Sequence, residues 1–137
     1  MALAIKKTLA FLMIITAFQV SFATVYKVGD SAGWTLPSIG QVNYTKWASN
    51  KTFHVGDVLV FTYDILYHNV ERVTQKNYGS CNATSPIASY STGNDSITLK
   101  KIGHKYFICG VDDHCQMGMK IDINVTTISP AAPPTAV

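Results

Sequence analysis

Apolar, β-branched and aromatic residues in this chain come in short runs, each cut off by turn-forming residues. Thr24–Val28 stops at Gly29-Asp30, and Asp57–Tyr63 is a dense D-V-L-V-F-T-Y stretch. Asn69–Thr74 alternates weakly, whereas Ser96–Lys100 alternates cleanly after Gly93-Asn94. Lys105–Val111 is aromatic and apolar, and Lys120–Thr126 sets Ile121, Ile123 and Val125 on one face. Closely spaced runs of this kind predict a small all-β sandwich or barrel. Only Tyr44–Asn50 reads as a short helix. With 137 residues the chain suffices for one domain, and it is too short for a barrel enzyme or a two-domain nucleotide enzyme. No repeat, heptad or phosphate loop is present. Gly29-Asp30-Ser31-Ala32-Gly33 matches the G-x-S-x-G pattern of a nucleophile elbow, which requires a helix directly after the serine. Trp34-Thr35-Leu36-Pro37 follows instead, so the segment reads as a strand-ending turn.

The two ends carry a different signal. Lys6 and Lys7, the apolar run Leu9–Val20 and the small residues Ser21 and Ala23 make residues 1–23 a secretory signal peptide. The run is short for a membrane span of about 20 residues. Of the 11 Lys+Arg, two lie in this segment, so the remainder holds 11 − 2 = 9 against 8 Asp+Glu, a net charge of +1. No Lys/Arg cluster marks a nucleic-acid footprint. Five of the seven asparagines stand in N-x-S/T sequons, namely Asn43, Asn50, Asn82, Asn94 and Asn124, as expected of a glycosylated surface. Residues 128–137 read as a short Pro/Ala-rich disordered tail. No terminal apolar stretch of about 10–20 residues suggests a lipid anchor, so a released protein is expected. A plasma-membrane location is the alternative if the C-terminus is incomplete.

Between residues 109 and 119 lie Cys109, His114, Cys115, Met117 and Met119. Adjacent side chains in extended chain point to opposite sides, so His114 and Cys115 are not expected to share an ion. Cys109, His114 and Met119 are spaced five apart and can be curled around one centre by a loop. A second imidazole must come from elsewhere, and His68, just past the Asp57–Tyr63 run, is the best candidate. Two histidines, a cysteine and a weak axial methionine form the ligand set of a blue copper electron-transfer site. With Cys109 on the metal, Cys81 and Cys115 are left to pair, which suits an oxidising compartment. A Cys2His2 zinc site lacks its C-x-x-C spacing, and a Cys109-based thiol enzyme lacks its flanking signature. His54 and His104 flank glycine turns and read as surface or packing residues. Four histidines are too few for a multicopper oxidase.

Together these stretches resemble the phytocyanins, plant extracellular blue copper proteins. The matching segments are Val28-Gly-Asp-Ser-Ala-Gly-Trp34, Tyr44-Thr-Lys-Trp-Ala48, Phe53-His-Val-Gly-Asp57, His68-Asn69-Val70, Tyr106-Phe-Ile-Cys109, His114-Cys115 and Gly118-Met119-Lys120. The resemblance implies a cupredoxin-like Greek-key β-sandwich over residues 24–127 with one or two short helices. It implies one copper ion per chain on His68, Cys109, His114 and Met119, a Cys81–Cys115 disulfide, and Asn69 holding the two ligand loops together. Methionine at 119 points to a plantacyanin or uclacyanin, since stellacyanin-like members carry glutamine there. Asp112-Asp113 departs from the Pro-Gly more usual before this histidine. The expectation is a secreted, monomeric single-electron carrier, not an enzyme, whose redox partner, small molecule or protein, is not written in the sequence. The competing expectation is an extracellular adhesion or signalling module in which copper is structural or incidental.

Overall fold

The computed structural model describes residues 22–127; the expected tail from residue 128 and all but the last two residues of the expected signal peptide lie outside them. Eight strands form two sheets. In the first, β1 (Val25–Lys27) runs parallel to β3 (Val58–Thr62), which pairs antiparallel with β6 (Asn94–Thr98). The second has the order β2 (Phe53–His54), β8 (Lys120–Thr126), β7 (Gly103–Ile108), β4 (Val70–Val73) and β5 (Ala88–Tyr90). All its pairs are antiparallel except β2 with β8.

The alternation read from sequence is the alternation of burial. Ile121, Ile123 and Val125 point inward from β8, and Leu59 and Phe61 from β3. They share one core with Trp34, Tyr44, Trp47, Phe53 and Phe107, and that core extends to Cys109 and Met119. The Gly29–Gly33 segment is a turn, with a single 3-10 turn at Asp30–Ala32.

Where the sequence reads one helix, the structure has three short ones: α1 (Pro37–Gly40), α2 (Tyr44–Ser49) and α3 (Gln75–Ser80). Helix α2 packs against β8, while α1 and α3 bury no residue fully and so leave no apolar stripe to read. Strands β2 and β5 are too short to show alternation. Strand β6 begins two residues earlier than the pattern suggests, at Asn94. Its Asp95 faces inward and is satisfied by the Tyr63 hydroxyl and by Thr92 Oγ1 at 2.6 Å.

Asp57, just before β3, is the other buried carboxylate, 1% exposed. Its Oδ1 accepts the Thr24 N–H at 2.9 Å and its Oδ2 the His54 N–H at 2.8 Å. One side chain thereby ties the start of β1 to β2. No described helix is long and apolar enough to cross a membrane.

Candidate metal centre

Two loops meet at one end of the sandwich. The first leads from β3 into β4. Asp64 organises it, its carbonyl accepting from the His68 N–H at 3.0 Å and its Oδ1 from the Leu66 N–H at 2.9 Å. That turn swings His68 inward, to 8% exposure. The second loop joins β7 to β8. Cys109 follows β7 directly and is buried. Its N–H donates to the Met119 carbonyl, and the Met119 N–H donates to the His114 carbonyl, each at 3.0 Å. Asp112 (φ 47°) and Gly118 (φ 99°) take left-handed backbone, which lets nine residues curl back on themselves. At Gly118 a Cβ would also stand 3.3 Å from Pro37 Cγ.

The result brings three of the expected ligands together. His68 Nδ1 and His114 Nδ1 are 3.2 Å apart, and Cys109 Sγ lies 4.0 Å from the first and 3.6 Å from the second. Three ligands held about 2.0–2.3 Å from one ion in a trigonal plane, taking zinc bond lengths as the guide, stand about 3.5–3.8 Å apart. The observed edges bracket that spacing. Imidazole, imidazole and thiolate with no carboxylate in the cluster fit a soft transition metal and not calcium or magnesium.

Met119 is fully buried and anchored by backbone to both Cys109 and His114, whereas Met117 is 50% exposed. Cys81 and Cys115 form a disulfide across 34 residues of sequence, with Cα atoms 5.7 Å apart. This leaves Cys109 as the free thiol and removes the second thiolate that a Cys2His2 zinc site needs. His54 and His104 lie away from the cluster, paired with Asp57 and Asp122.

Electrostatics disfavour the charged forms of Cys109 and His68. Burial pushes the Cys109 thiol up; the N–H groups of Asn69 and Val111 oppose this, while Glu71 and Asp112 add to it. Burial, then the neighbouring His114, pushes His68 down, against a smaller pull from Asp64. Asn69 bridges the loops. Its Oδ1 accepts the Gly110 N–H at 2.7 Å, its Nδ2 donates to Glu71 Oε1 at 3.2 Å, and its carbonyl accepts from Trp34 Nε1 at 2.9 Å. Asp64 and Glu71 escape a reading of the sequence, because a carboxylate that organises a turn or braces an amide carries no spacing signature. All five sequon asparagines are exposed.

A plastocyanin-like domain model matches residues 34–119, a span that includes both loops. Stellacyanin of Toxicodendron vernicifluum is 65% identical over 107 residues, 77% of this chain and 100% of that protein. The chain belongs to the phytocyanins. Two solved structures share its architecture. Cucumber stellacyanin gives a TM-score of 0.70 at 38% identity, covering 78% of this chain and 98% of that one. Cucumber basic protein, a blue copper protein, gives 0.67 at 42%, covering 75% and 100%. High identity to a stellacyanin thus coexists in this phytocyanin with methionine at position 119. Family and geometry agree on a cupredoxin-like type 1 copper electron carrier with one ion per chain at the His68–Cys109–His114 cluster.

Proposed function

We propose that this phytocyanin shuttles single electrons outside the cell, as a carrier and not an enzyme, with Met119 as the fourth residue that would hold the ion and His114 as the edge through which the electron would pass. The observation that carries the reading is the triangle of two Nδ1 atoms and one Sγ held by tethered loops. Copper supplies the one-electron couple between Cu(I) and Cu(II). The chain's residues do the rest. Cys109 gives up its proton to become the thiolate ligand. Asn69 fixes the distance between the loops through Gly110 and so keeps His68 and Cys109 from relaxing toward the preference of either oxidation state. Trp34, Phe61 and Phe107, buried in the same core cluster as Cys109 and Met119, exclude water from that side. His114 is less buried than His68, which leaves one imidazole edge near solvent for a partner. The signal-peptide pattern at 1–23 and the sequons at Asn43, Asn50, Asn82, Asn94 and Asn124 support secretion to the cell-wall space. At Asn43 the side-chain oxygen caps α2 through the Lys46 N–H at 2.9 Å; a glycan on the nitrogen leaves that oxygen free.

The test is optical. The purified protein loaded with Cu(II) should turn intensely blue, lose the colour on ascorbate and regain it on reoxidation. Colour that survives Cys109→Ala, or no colour at all, overturns the assignment. Met119→Leu should keep the colour and change the reduction potential; an unchanged potential removes Met119 from the ligand set.

A further inference from the structure

Asp57 is a buried carboxylate without a cation. Among the described residues no lysine or arginine pairs with it; the nearest ionisable partner is His54, whose Nδ1 is 3.7 Å from Oδ2 and which is charged only when protonated. A carboxylate this buried normally needs a paired charge or a full set of donors. Its Oδ1 is aimed at one atom, the backbone nitrogen of Thr24, at 2.9 Å. The residues before that nitrogen are exposed, Phe22 to 76%. Ala23 is also the residue after which the signal peptide is expected to be cut.

We infer that Asp57 is the receiving site for the α-ammonium that cleavage between Ala23 and Thr24 creates, so that processing converts an amide hydrogen bond into an ion pair that locks β1 against β2 and β3. The inference rests on the signal-peptide reading. Chemically, hydrolysis of the Ala23–Thr24 bond by a signal peptidase adds one water, leaves a carboxylate on Ala23 and an amine on Thr24, and the amine takes up a proton. The nitrogen already lies at hydrogen-bond distance, so little backbone rearrangement is needed. A single change at the chain end therefore supplies the missing cation where the fold has prepared a place for it. Before cleavage the same oxygen holds only a neutral N–H, the weaker of the two interactions.

Opposite charge at this distance raises the ammonium's pKa above the roughly 7.7–8.0 of a free terminus. The stabilisation is complete below that range and is lost as pH rises through the folded-state value. The other titratable groups facing Asp57 are His54 and Tyr26, and both are unchanged when only the terminus is altered.

The experiment secretes the full-length precursor, and a second precursor with Gly-Ser inserted between Ala23 and Thr24, from the same host. Mass spectrometry of the product reads the cut. A cut elsewhere overturns the processing reading and the inference with it. With the cut at Thr24, the native terminus should raise the folding equilibrium constant about tenfold over the extended one at pH 6 in urea titrations, the scale of one charge-assisted bond. The gap should shrink above pH 9 and vanish in Asp57→Asn. Equal stabilities, or a gap that persists in Asp57→Asn, overturn the inference and leave the cut standing. Should Asp57→Asn fail to fold, the amine's titration by NMR decides: an ammonium that titrates like a free terminus refutes the pairing.

Discussion

Asp112 and Asp113 are exposed beside His114, and the Asp112 carboxylate already helps push the Cys109 thiol up. The same field should favour Cu(II) over Cu(I) and lower the reduction potential. Asp112→Asn and Asp113→Asn should each raise it by on the order of 20 mV, the effect of one screened charge across several ångströms of wet protein; voltammetry reads the shift. Tyr44 makes a different prediction. Its hydroxyl donates to the Gly33 carbonyl at 2.7 Å and accepts the Thr35 N–H at 2.8 Å, and burial pushes its pKa up to about 12. The unfolded chain ionises near the ordinary 10, so folding holds the proton longer, and stability should fall as pH rises from about 10 to 12. Tyr44→Phe should flatten that part of the alkaline unfolding curve while lowering stability at neutral pH. At this scale the ligands were legible because thiol, imidazole and thioether are rare and crowd together. Asp57 was not, because nothing in a sequence marks a carboxylate as buried.

Strands and helices differ in how far their sequences expose them. Strand β8 was read with its observed bounds, because three inward apolar residues and seven positions leave little room for error. Ile123→Ala should therefore cost about 2–5 kcal/mol in urea titrations, the usual penalty for a cavity in a packed core. Helix α3 was missed for the opposite reason. Q-K-N-Y-G-S has no apolar face, and its structure rests on its ends. Thr74 Oγ1 accepts the Asn77 N–H at 3.2 Å, and Cys81 closes the helix in left-handed backbone. Thr74→Ala should cost about 1 kcal/mol. Because α3 delivers Cys81 to the disulfide, its weak local signal is offset by a covalent constraint.

On the scale of the whole molecule, charge is unevenly spread. Arg72, Lys100, Lys101 and Lys105 line one cavity of about 350 Å³ at the sandwich edge, while Asp112 and Asp113 flank His114. With these two carboxylates beside the His114 imidazole, a cationic reagent should exchange electrons with this protein faster than an anionic one of equal driving force, with the difference shrinking as salt is added. The all-β class and the copper chemistry were legible at this level. That Asn69 joins the loops came only through the family resemblance; its hydrogen-bond partner, the Gly110 N–H 41 residues away, has no signature in the sequence.

That bond, the Cys81–Cys115 bridge and the backbone pairing of Cys109 with Met119 share one property: none of them runs through the ion. A finger domain that folds around zinc collapses when a chelator takes its metal. Here the socket is built from protein alone, so chelation should leave near-UV circular dichroism largely intact, and refilling should follow one phase, without the lag of a refolding chain. Ions of similar ligand preference should enter the same way. If those outcomes hold, copper supply and protein maturation are separate events, and the chain could be made in one compartment and charged in another.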